Sequence, residues 1–270
     1  MLFLRNVLAF LIYIISLSYA LQCTTNCSFT SDLQTTFEIP QSCHQLISAK
    51  QCTFRVSLWY STYFSYLSFT ADYSNYSSGD FYSTTTRLFD DGSIHFDYSI
   101  SHYCDHKDNC ALEFANKNVP DILRRPNFNY TDMRNELWPL LSSNSSVQNA
   151  DLLCFDANEN LRQCAIVTKP GGCQATQQIM GRRKQMNRTC DYGLTRNAKS
   201  ITIVDFGRFS SFEVKCNRSF CNGALTIQAV KEIMFKYNVT ISIDGQLNNG
   251  IRRCLSSTFL ILIVLLLRLV

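Results

Sequence analysis

Apolar and polar residues alternate along several interior segments of this chain, and the alternation predicts β-strands. Along residues 94–101 every second residue is aromatic or β-branched, which is the two-residue period of a half-buried strand. The Asp91-Gly92 pair before this run is typical of a hairpin turn. Residues 55–70 are aromatic, β-branched and free of Gly and Pro, so they predict one long strand or two. Shorter strands are expected at 201–204 and 212–216.

Two segments have apolar residues at helical spacing instead. Residues 129–141 place Met133 and Leu137 on one helix face, although Pro139 is expected to end or kink this helix. Residues 225–237 show the same period, with Thr226 as a candidate N-cap. This second helix is expected to pack onto a domain ahead of a stalk that ends at Asn248.

The first 20 residues have the three parts of a secretory signal peptide. Arg5 gives a positive start, residues 7–17 are apolar, and Ser18-Tyr19-Ala20 is a small-x-small cleavage site. A membrane-spanning helix needs about 20 apolar residues, so this segment is short for a span. We therefore expect cleavage after Ala20 and a mature chain in the oxidising secretory pathway.

The C-terminus resembles the attachment signal of a glycosylphosphatidylinositol (GPI) anchor. The residues Asn248-Asn249-Gly250 precede a spacer, and an apolar tail follows at 259–270. Asn248 is the expected lipid-bearing residue, and 249–270 are the expected propeptide. The alternative is a single-pass protein with a short C-terminal span, although residues 255–267 fall short of the roughly 20 needed.

The cysteine count supports an anchored, disulfide-bonded chain. The sequence has 13 cysteines, and removal of the tail takes Cys254 and leaves an even number, as six disulfides require. A retained span would keep Cys254 as an odd thiol beside the membrane. The remaining cysteines form two sets of six, separated by a cysteine-free stretch at 111–153. These twelve are Cys23, Cys27, Cys43, Cys52, Cys104, Cys110, Cys154, Cys164, Cys173, Cys190, Cys216 and Cys221.

Asn-x-Ser/Thr tripeptides are frequent between the two apolar ends. Such tripeptides are acceptors for N-linked glycans, and their number in a chain with a signal peptide indicates an extracellular glycoprotein. The candidate glycosylation sites are Asn26, Asn75, Asn129, Asn144, Asn187, Asn217 and Asn238.

The second set of cysteines resembles the three-finger domain of the lymphocyte-antigen/urokinase-receptor (LU) family. It opens with Leu152-Leu153-Cys154, close to the Leu-x-Cys of the family, and ends in Cys216-x4-Cys221-Asn222, as the family does. The family's usual bridge within the third finger has no counterpart here. The resemblance implies a side chain of Asn222 that ties the terminal loop to the domain core. It also implies the bonds Cys154–Cys173, Cys164–Cys190 and Cys216–Cys221.

The first set of cysteines is interpreted as a divergent copy of such a domain. It opens with Leu21-Gln22-Cys23 and ends in a close pair, but Ala111 stands where the family has Asn. Six cysteines allow many connectivities, so the sequence leaves the pairing open. By analogy with the second set, the pairs would be Cys23–Cys43, Cys27–Cys52 and Cys104–Cys110.

The predicted fold class is mainly β and disulfide-rich, with two small three-finger-like β domains, a short helical linker and a C-terminal helix. Disulfides would compensate for the small cores of such domains. After the signal peptide at 1–20, the expected boundaries are a divergent cysteine-rich β domain at 21–111, a linker with a helical segment at 112–151, a three-finger-like domain at 152–222, and a helix and stalk at 223–248.

The charge distribution excludes a nucleic-acid partner. The formal net charge of +4 comes from four arginines in the two end regions, Arg5, Arg252, Arg253 and Arg268. The interior between these regions has equal numbers of basic and acidic residues, so it offers no net positive field to phosphates.

Candidate chemistry is sparse. The spacing His102-x-Cys104-x-His106-x3-Cys110 resembles a zinc site, but in an oxidising compartment the two cysteines are expected to form a disulfide. Oxidation also excludes a Cys–His nucleophile. The sequence Asp90-Asp91-Gly92 favours a turn over acid–base chemistry. We therefore predict no catalytic residue, no metal site and no cofactor.

Two segments remain as possible contact surfaces. The basic loop Gly181-Arg182-Arg183-Lys184 could bind an acidic partner, and the family pairing would put it on the second finger, where LU relatives often contact ligands. Isolated basic loops are usually only solvated. The aromatic run at 59–69 is interpreted as core rather than as a binding face, because it lies in a predicted strand.

Two classes of function follow. The favoured one is a GPI-anchored glycoprotein of the cell surface that acts as a non-enzymatic binding module, with an unknown protein or small molecule as its partner and the lipid anchor as its membrane contact. The alternative is a secretory-pathway hydrolase of unrecognised type. The absence of catalytic motifs, the scarcity of histidine and the LU resemblance favour the binding module.

Overall fold

The computed structural model describes residues 20–33, 37–60, 62–73, 77–123, 129–142, 152–164, 171–192 and 199–247. These residues form thirteen β-strands, three α-helices, one short 3-10 helix and six disulfide bonds. The mainly β, disulfide-rich fold that the sequence predicted is therefore confirmed. The chain divides into two compact units, one with the described parts of Met1–Leu58, Tyr63–Asp80 and Ile100–Arg125, the other with those of Trp59–Thr62, Phe81–Ser99 and Pro126–Val270.

The first unit contains two groups of strands and one helix. Strands β1 (Leu21–Thr24) and β3 (Leu46–Ala49) pair antiparallel. Strand β5 (Phe64–Asp72) lies between β4 (Gln51–Trp59) and β2 (Cys27–Asp32), and its pairing with β2 is antiparallel. The predicted strand at 55–70 is thus two strands. The unit also has the 3-10 helix Gln41–His44 and helix α1 (Cys110–Leu123).

The core of the first unit is aromatic and aliphatic. Phe54 of β4 is fully buried and packs against Phe69 of β5, with ring centroids 5.0 Å apart. Phe114 of α1 lies 6.0 Å from the same Phe54 ring. Helix α1 buries residues spaced about one turn apart, because they share one helix face. These residues are Ala111, Ala115, Val119 and Ile122.

The disulfide pairing that the sequence suggested for the first set is wrong at two bonds and correct at the third. The structure joins Cys23 to Cys52 and Cys27 to Cys43, and it joins Cys104 to Cys110. The 3-10 helix brings Cys43 back to the start of β2, where Cys27 lies. Cys23 lies on β1, which pairs with β3, and β4 with Cys52 begins two residues after β3. The smaller loop is therefore nested inside the larger one.

The second unit is built on antiparallel strands with helices on one side. Adjacent strands follow the order β11-β10-β13-β12-β6. A separate pair is formed by β8 and β9. The strands are β6 (Gly79–Leu88), β7 (Ile94–Cys104), β8 (Leu153–Phe155), β9 (Leu161–Gln163), β10 (Gly172–Met180), β11 (Arg183–Asp191), β12 (Lys199–Asp205) and β13 (Phe209–Cys216). Strands β6 and β7 contribute residues to both units, because the division falls after Asp80 and after Ser99.

Three consecutive hairpins extend from the disulfides of the second unit. They are formed by β8–β9, β10–β11 and β12–β13. The disulfides join Cys154 to Cys173, Cys164 to Cys190 and Cys216 to Cys221, which is the pairing that the LU resemblance implied. The predicted alternation is also confirmed, since Phe212, Val214 and Cys216 of β13 are all buried.

The helices of the second unit begin and end differently from the prediction. Helix α2 (Tyr130–Leu141) is capped by Asn129, whose side chain accepts bonds from two backbone N–H groups, and it continues two residues past Pro139. Helix α3 (Ala224–Lys236) begins before Thr226, and Gly223 occupies the N-cap position. The expected cap at Thr226 is therefore wrong.

The segment after α3 folds back onto the sheet. The sequence predicted a stalk here, but Val239, Thr240 and Leu247 are buried. The backbone N–H of Leu247 donates to the Asp205 carboxylate at the end of β12, over 2.9 Å. Gly245 lies directly over the Phe212 ring, where its φ of +86° and the close approach both favour glycine. The last described residue, Leu247, therefore lies beside the end of β12 and the β12–β13 turn.

The predicted signal peptide and GPI signal, with Asn248 and Cys254, lie outside the described residues. In the described ranges, no helix is both long enough and apolar enough to cross a bilayer.

Candidate functional site

The histidine and cysteine cluster at 102–110 is a structural element of the first unit. Cys104 and Cys110 are bonded to each other, so their sulfurs are not thiolate ligands. The His102 ring stacks on Phe114 at 3.9 Å, and its Nδ1 lies 2.6 Å from the Asp80 carboxylate. In the part of the chain that the structure describes, no three His, Cys, Asp or Glu side chains are grouped as a metal site.

The adjacent carboxylates Asp90 and Asp91 have separate structural roles. The Asp91 carboxylate accepts bonds from the side chain and backbone of Ser93, which lower its pKa below the usual value and close the turn at Gly92. Asp90 forms an ion pair with Lys199, whose side chain is fully buried. The Lys199 ammonium also lies 4.8 Å from the centre of the Trp138 ring. The predicted turn is present, whereas the ion pair of Asp90 with Lys199 was not predicted.

The aromatic run at 59–69 is partly core and partly surface. Tyr60 and Phe69 are buried, whereas Tyr63, Phe64 and Tyr66 are more than one-third exposed. The alternation along β5 explains this division, because successive side chains point to opposite faces of a strand. The interpretation as core therefore applies to every second position.

The basic loop lies at the tip of the β10–β11 hairpin, beside the tip of the next hairpin. The backbone N–H of Gly181 donates to the carbonyl oxygen of Arg208 in the β12–β13 turn, over 3.1 Å. Lys184 is paired with Asp244 at 2.8 Å. In contrast, no described carboxylate lies within 4 Å of the exposed guanidinium groups of Arg182, Arg183 or Arg208. These three cations are therefore concentrated on adjacent turns.

Apolar side chains are exposed among these cations. Met180 is 61% exposed and Phe206 is 48% exposed. The Phe206 ring is held at 4.2 Å from Phe81, so its exposure follows from a fixed position in the turn. We call the set Met180, Arg182, Arg183, Phe206 and Arg208 the basic tip.

The solvent side of the second unit's sheet is polar across five strands. The strand register aligns Thr85, Thr202, Glu213, Thr176 and Asn187 in one row. Flanking rows bring the face to fifteen side chains, all half-buried or exposed and all polar except Val204. We call this surface the polar sheet face; its flanking rows are Arg87, Ser200, Lys215, Gln174 and Thr189 on one side and Ser83, Val204, Ser211, Gln178 and Gln185 on the other.

Hydrogen bonds and ion pairs hold the polar sheet face in one arrangement. The Glu213 carboxylate accepts a bond from the Gln174 amide at 2.7 Å, and Thr176 lies 3.4 Å from the same oxygen. Lys215 pairs with Asp191 at 3.1 Å. The charges are therefore fixed by neighbours, while hydroxyl and amide groups remain at the surface. Such a face suits recognition by hydrogen bonds.

The opposite side of this sheet buries an unusual cation. Lys231 of α3 is only 4% exposed, and its ammonium donates to the Gln177 side chain over 2.6 Å. Burial lowers the pKa of Lys231 below the usual lysine value, and Lys184 adds to this effect, whereas Asp244 opposes it.

Asn222 fastens the terminal disulfide loop to the hairpins. Its side chain is fully buried. The amide oxygen accepts from the Phe155 N–H at 3.0 Å, and the amide nitrogen donates to the carbonyl oxygens of Phe155 and Gln174 at 2.8 and 3.2 Å. The tie that the resemblance implied for this residue is present.

Five of the seven candidate glycosylation sites lie in the described residues. Asn26, Asn129, Asn187 and Asn238 are exposed, and Asn217 is half-buried in the terminal disulfide loop. Asn187 lies at the edge of the polar sheet face, on β11. Asn75 and Asn144 lie outside the described residues.

Comparison with known proteins provides no family for this chain. No family model matches it, and no curated protein matches it.

The polar sheet face and the two buried lysines were not predicted from the sequence. A signal for the face was present, since polar residues occupy alternate positions at 174–178 of β10, 200–202 of β12 and 211–215 of β13. Their alignment into rows depends on which strands are neighbours, and β6 is far from β12 in sequence. The buried positions of Lys199 and Lys231 had no sequence signal, because lysine is rarely buried.

Proposed function

We propose that this protein is a GPI-anchored extracellular glycoprotein that acts as a non-enzymatic recognition module at the cell surface. The polar sheet face is the observation that supports this function most directly. It offers hydroxyl, amide and charged groups in fixed register over five strands, which suits a protein or small-molecule partner that binds through hydrogen bonds.

We further propose that residues 152–222 are a three-finger domain of the LU type. Three successive hairpins, the three disulfides at their bases and the Asn222 tie support this assignment. Residues 21–111 are proposed as a divergent copy. Peptide mapping of the non-reduced protein tests the assignment, and a bond from Cys216 to any cysteine other than Cys221 would contradict it.

The anchor is tested on intact cells that express the full chain. Phosphatidylinositol-specific phospholipase C should release the protein into the medium, because a GPI anchor is cleaved at its lipid. The double substitution Asn248→Leu with Asn249→Leu should reduce surface display. Resistance to the lipase, with extraction by detergent only, would support the short C-terminal span instead.

The recognition face is tested with an added glycan. Thr202→Asn with Val204→Thr creates an acceptor in the middle of the polar sheet face, and Asn160→Thr creates a control acceptor at the exposed Asn158. Cross-linking on intact cells should give a defined partner complex with the native chain and the control, and none with the central glycan. An unchanged complex with the central glycan would show that the partner uses another surface.

A further inference from the structure

The end of the described chain and the basic tip lie at the same end of the second unit. Leu247 is the last described residue, and its backbone N–H donates to Asp205 at 2.9 Å. Phe206 of the basic tip follows Asp205 directly, and the Asp205 carboxylate also accepts from the Gly207 N–H at 2.7 Å. The last described residue is therefore hydrogen-bonded to the residue that directly precedes an exposed side chain of the basic tip.

A second contact fixes the same geometry. Asp244, three residues before Leu247, pairs with Lys184 at the start of β11. Its neighbour Ile243 is 48% exposed, as is Phe206, so a third apolar side chain joins Met180 and Phe206 at this end of the unit. The Asp205 and Asp244 carboxylates therefore hold the segment 239–247 against the β12–β13 turn and against the start of β11.

The composition of this end is that of a surface in contact with phospholipid headgroups. Aromatic and other apolar side chains are stabilised in the interfacial region of a bilayer. Arginine binds phosphate oxygens through two parallel N–H groups, and its long stem tolerates a boundary between apolar and polar surroundings. Arg182, Arg183 and Arg208 have no described carboxylate within 4 Å that would compete with lipid phosphates.

The sequence after Leu247 predicts that the chain is attached to a bilayer. Residues 259–270 are apolar apart from Arg268, and the expected lipid-bearing residue Asn248 immediately follows Leu247. A lipid anchor and a short span differ in chemistry, but both attach the chain to a membrane through residues that follow Leu247 in sequence. The position of the last described residue and the positive charge of the basic tip therefore both favour a phospholipid bilayer as the occupant of this surface.

We propose that the basic tip rests on the phospholipid bilayer that holds the C-terminus, with Met180, Phe206 and Ile243 in the interfacial region and the three arginines on lipid phosphates. This inference rests on the membrane attachment in the proposed function. It assigns the hairpin tips to the membrane and leaves the polar sheet face for the partner.

Fluorescence of the complete protein in vesicles tests this contact. The full chain is expressed in cells, purified in detergent with its own anchor, and reconstituted into phosphatidylcholine vesicles with and without brominated acyl chains. Phe206→Trp reports on the tip. Leu225→Trp is the matched control, because Leu225 is 89% exposed at the opposite end of α3, near the terminal disulfide loop. The native chain supplies the emission of Trp59 and Trp138 for subtraction.

Brominated lipid should quench the added emission of Phe206→Trp at least about twofold more than that of Leu225→Trp, because quenching requires contact with the acyl region. Acrylamide in the aqueous phase should show the reverse order. If Phe206→Trp alters the disulfide map, Met180→Trp serves as the reporter. Phosphatidylserine added to the vesicles should increase the difference, since anionic lipid attracts arginine.

The outcomes separate this inference from the proposed function. Protein that floats with the vesicles but shows equal quenching of both variants by each quencher would overturn the membrane contact and leave the tip free for a protein partner. Protein that does not float with the vesicles would overturn the anchored function, and the membrane contact with it.

Discussion

Removal of the Asn222 side chain should destabilise the second unit strongly. Asn222→Ala deletes three hydrogen bonds and leaves the Phe155 N–H and the carbonyl oxygens of Phe155 and Gln174 without this partner in a buried site. A hydrogen bond contributes about 0.5–1.5 kcal/mol net, and a buried group left unpaired costs about 1–3 kcal/mol. The three bonds together therefore predict a loss of about 2–5 kcal/mol in the free energy of unfolding.

This loss is large against the total stability of a domain, which is about 5–15 kcal/mol. Thermal unfolding followed by circular dichroism should show a midpoint lower by about 10 °C or more. Asn222→Asp should be at least as harmful, because its second oxygen would face the two carbonyl oxygens that now accept from the amide nitrogen. Peptide mapping of the variants should first establish that all six disulfides are intact, so that loss of a disulfide is not mistaken for loss of the amide.

Asn158→Ala is the matched control, because Asn158 is exposed in the β8–β9 turn and its side chain makes no hydrogen bond to a described residue. Its unfolding midpoint should equal that of the native protein within about 2 °C. A midpoint for Asn222→Ala equal to that of the control would refute the reasoning. In that case the disulfide at Cys216 and Cys221 would hold the loop without help from the amide.

Two further predictions concern the packing of Gly245 and of Lys231 in the second unit. In chemical denaturation, Gly245→Ala should lower the free energy of unfolding by about 1–3 kcal/mol more than Gly181→Ala. Both glycines have positive φ, but only a Cβ at Gly245 would meet the Phe212 ring, at 2.5 Å. Equal losses would show that the ring moves aside. Burial lowers the pKa of Lys231 in the folded protein, so at a pH between this lowered pKa and the ordinary lysine value near 10.4 the unfolded chain binds more protons than the folded chain. The free energy of unfolding should therefore rise with pH over this range. Lys231→Met should lack this rise when denaturation midpoints are compared over that range, and a parallel pH dependence of both proteins would contradict the assignment.

The sequence predicted the elements whose signal is local. The alternation at 94–101 became β7, with Phe96, Tyr98 and Ile100 buried, and the helical spacing of Met133 and Leu137 became α2. The Cys154–Cys173 bond followed from a resemblance in spacing, and the structure has it.

Helix α1 was missed although its buried face has a helical period. Pro120 lies inside this helix, and the cysteine pattern placed a domain end at Ala111, so residues 112–151 were assigned to a linker. The stalk was wrong because the burial of Leu247 depends on the Asp205 carboxylate, which is 42 residues away in sequence. The polar sheet face required the same kind of long-range pairing. The period of apolar residues within a segment can be read from one sequence, but which distant segment will pack or pair against it cannot.

The pairing of β6 with β12 has a consequence for biosynthesis. Each disulfide joins cysteines no more than 29 residues apart, so every bond can close soon after its second cysteine is translated. In contrast, Leu88 of β6 pairs with Lys199 of β12, and the nascent chain must present β6 as an open edge until the later strand arrives. A recombinant fragment that starts after β6 would expose the β12 edge permanently. Such a fragment should form all of its local disulfides and still aggregate through that edge.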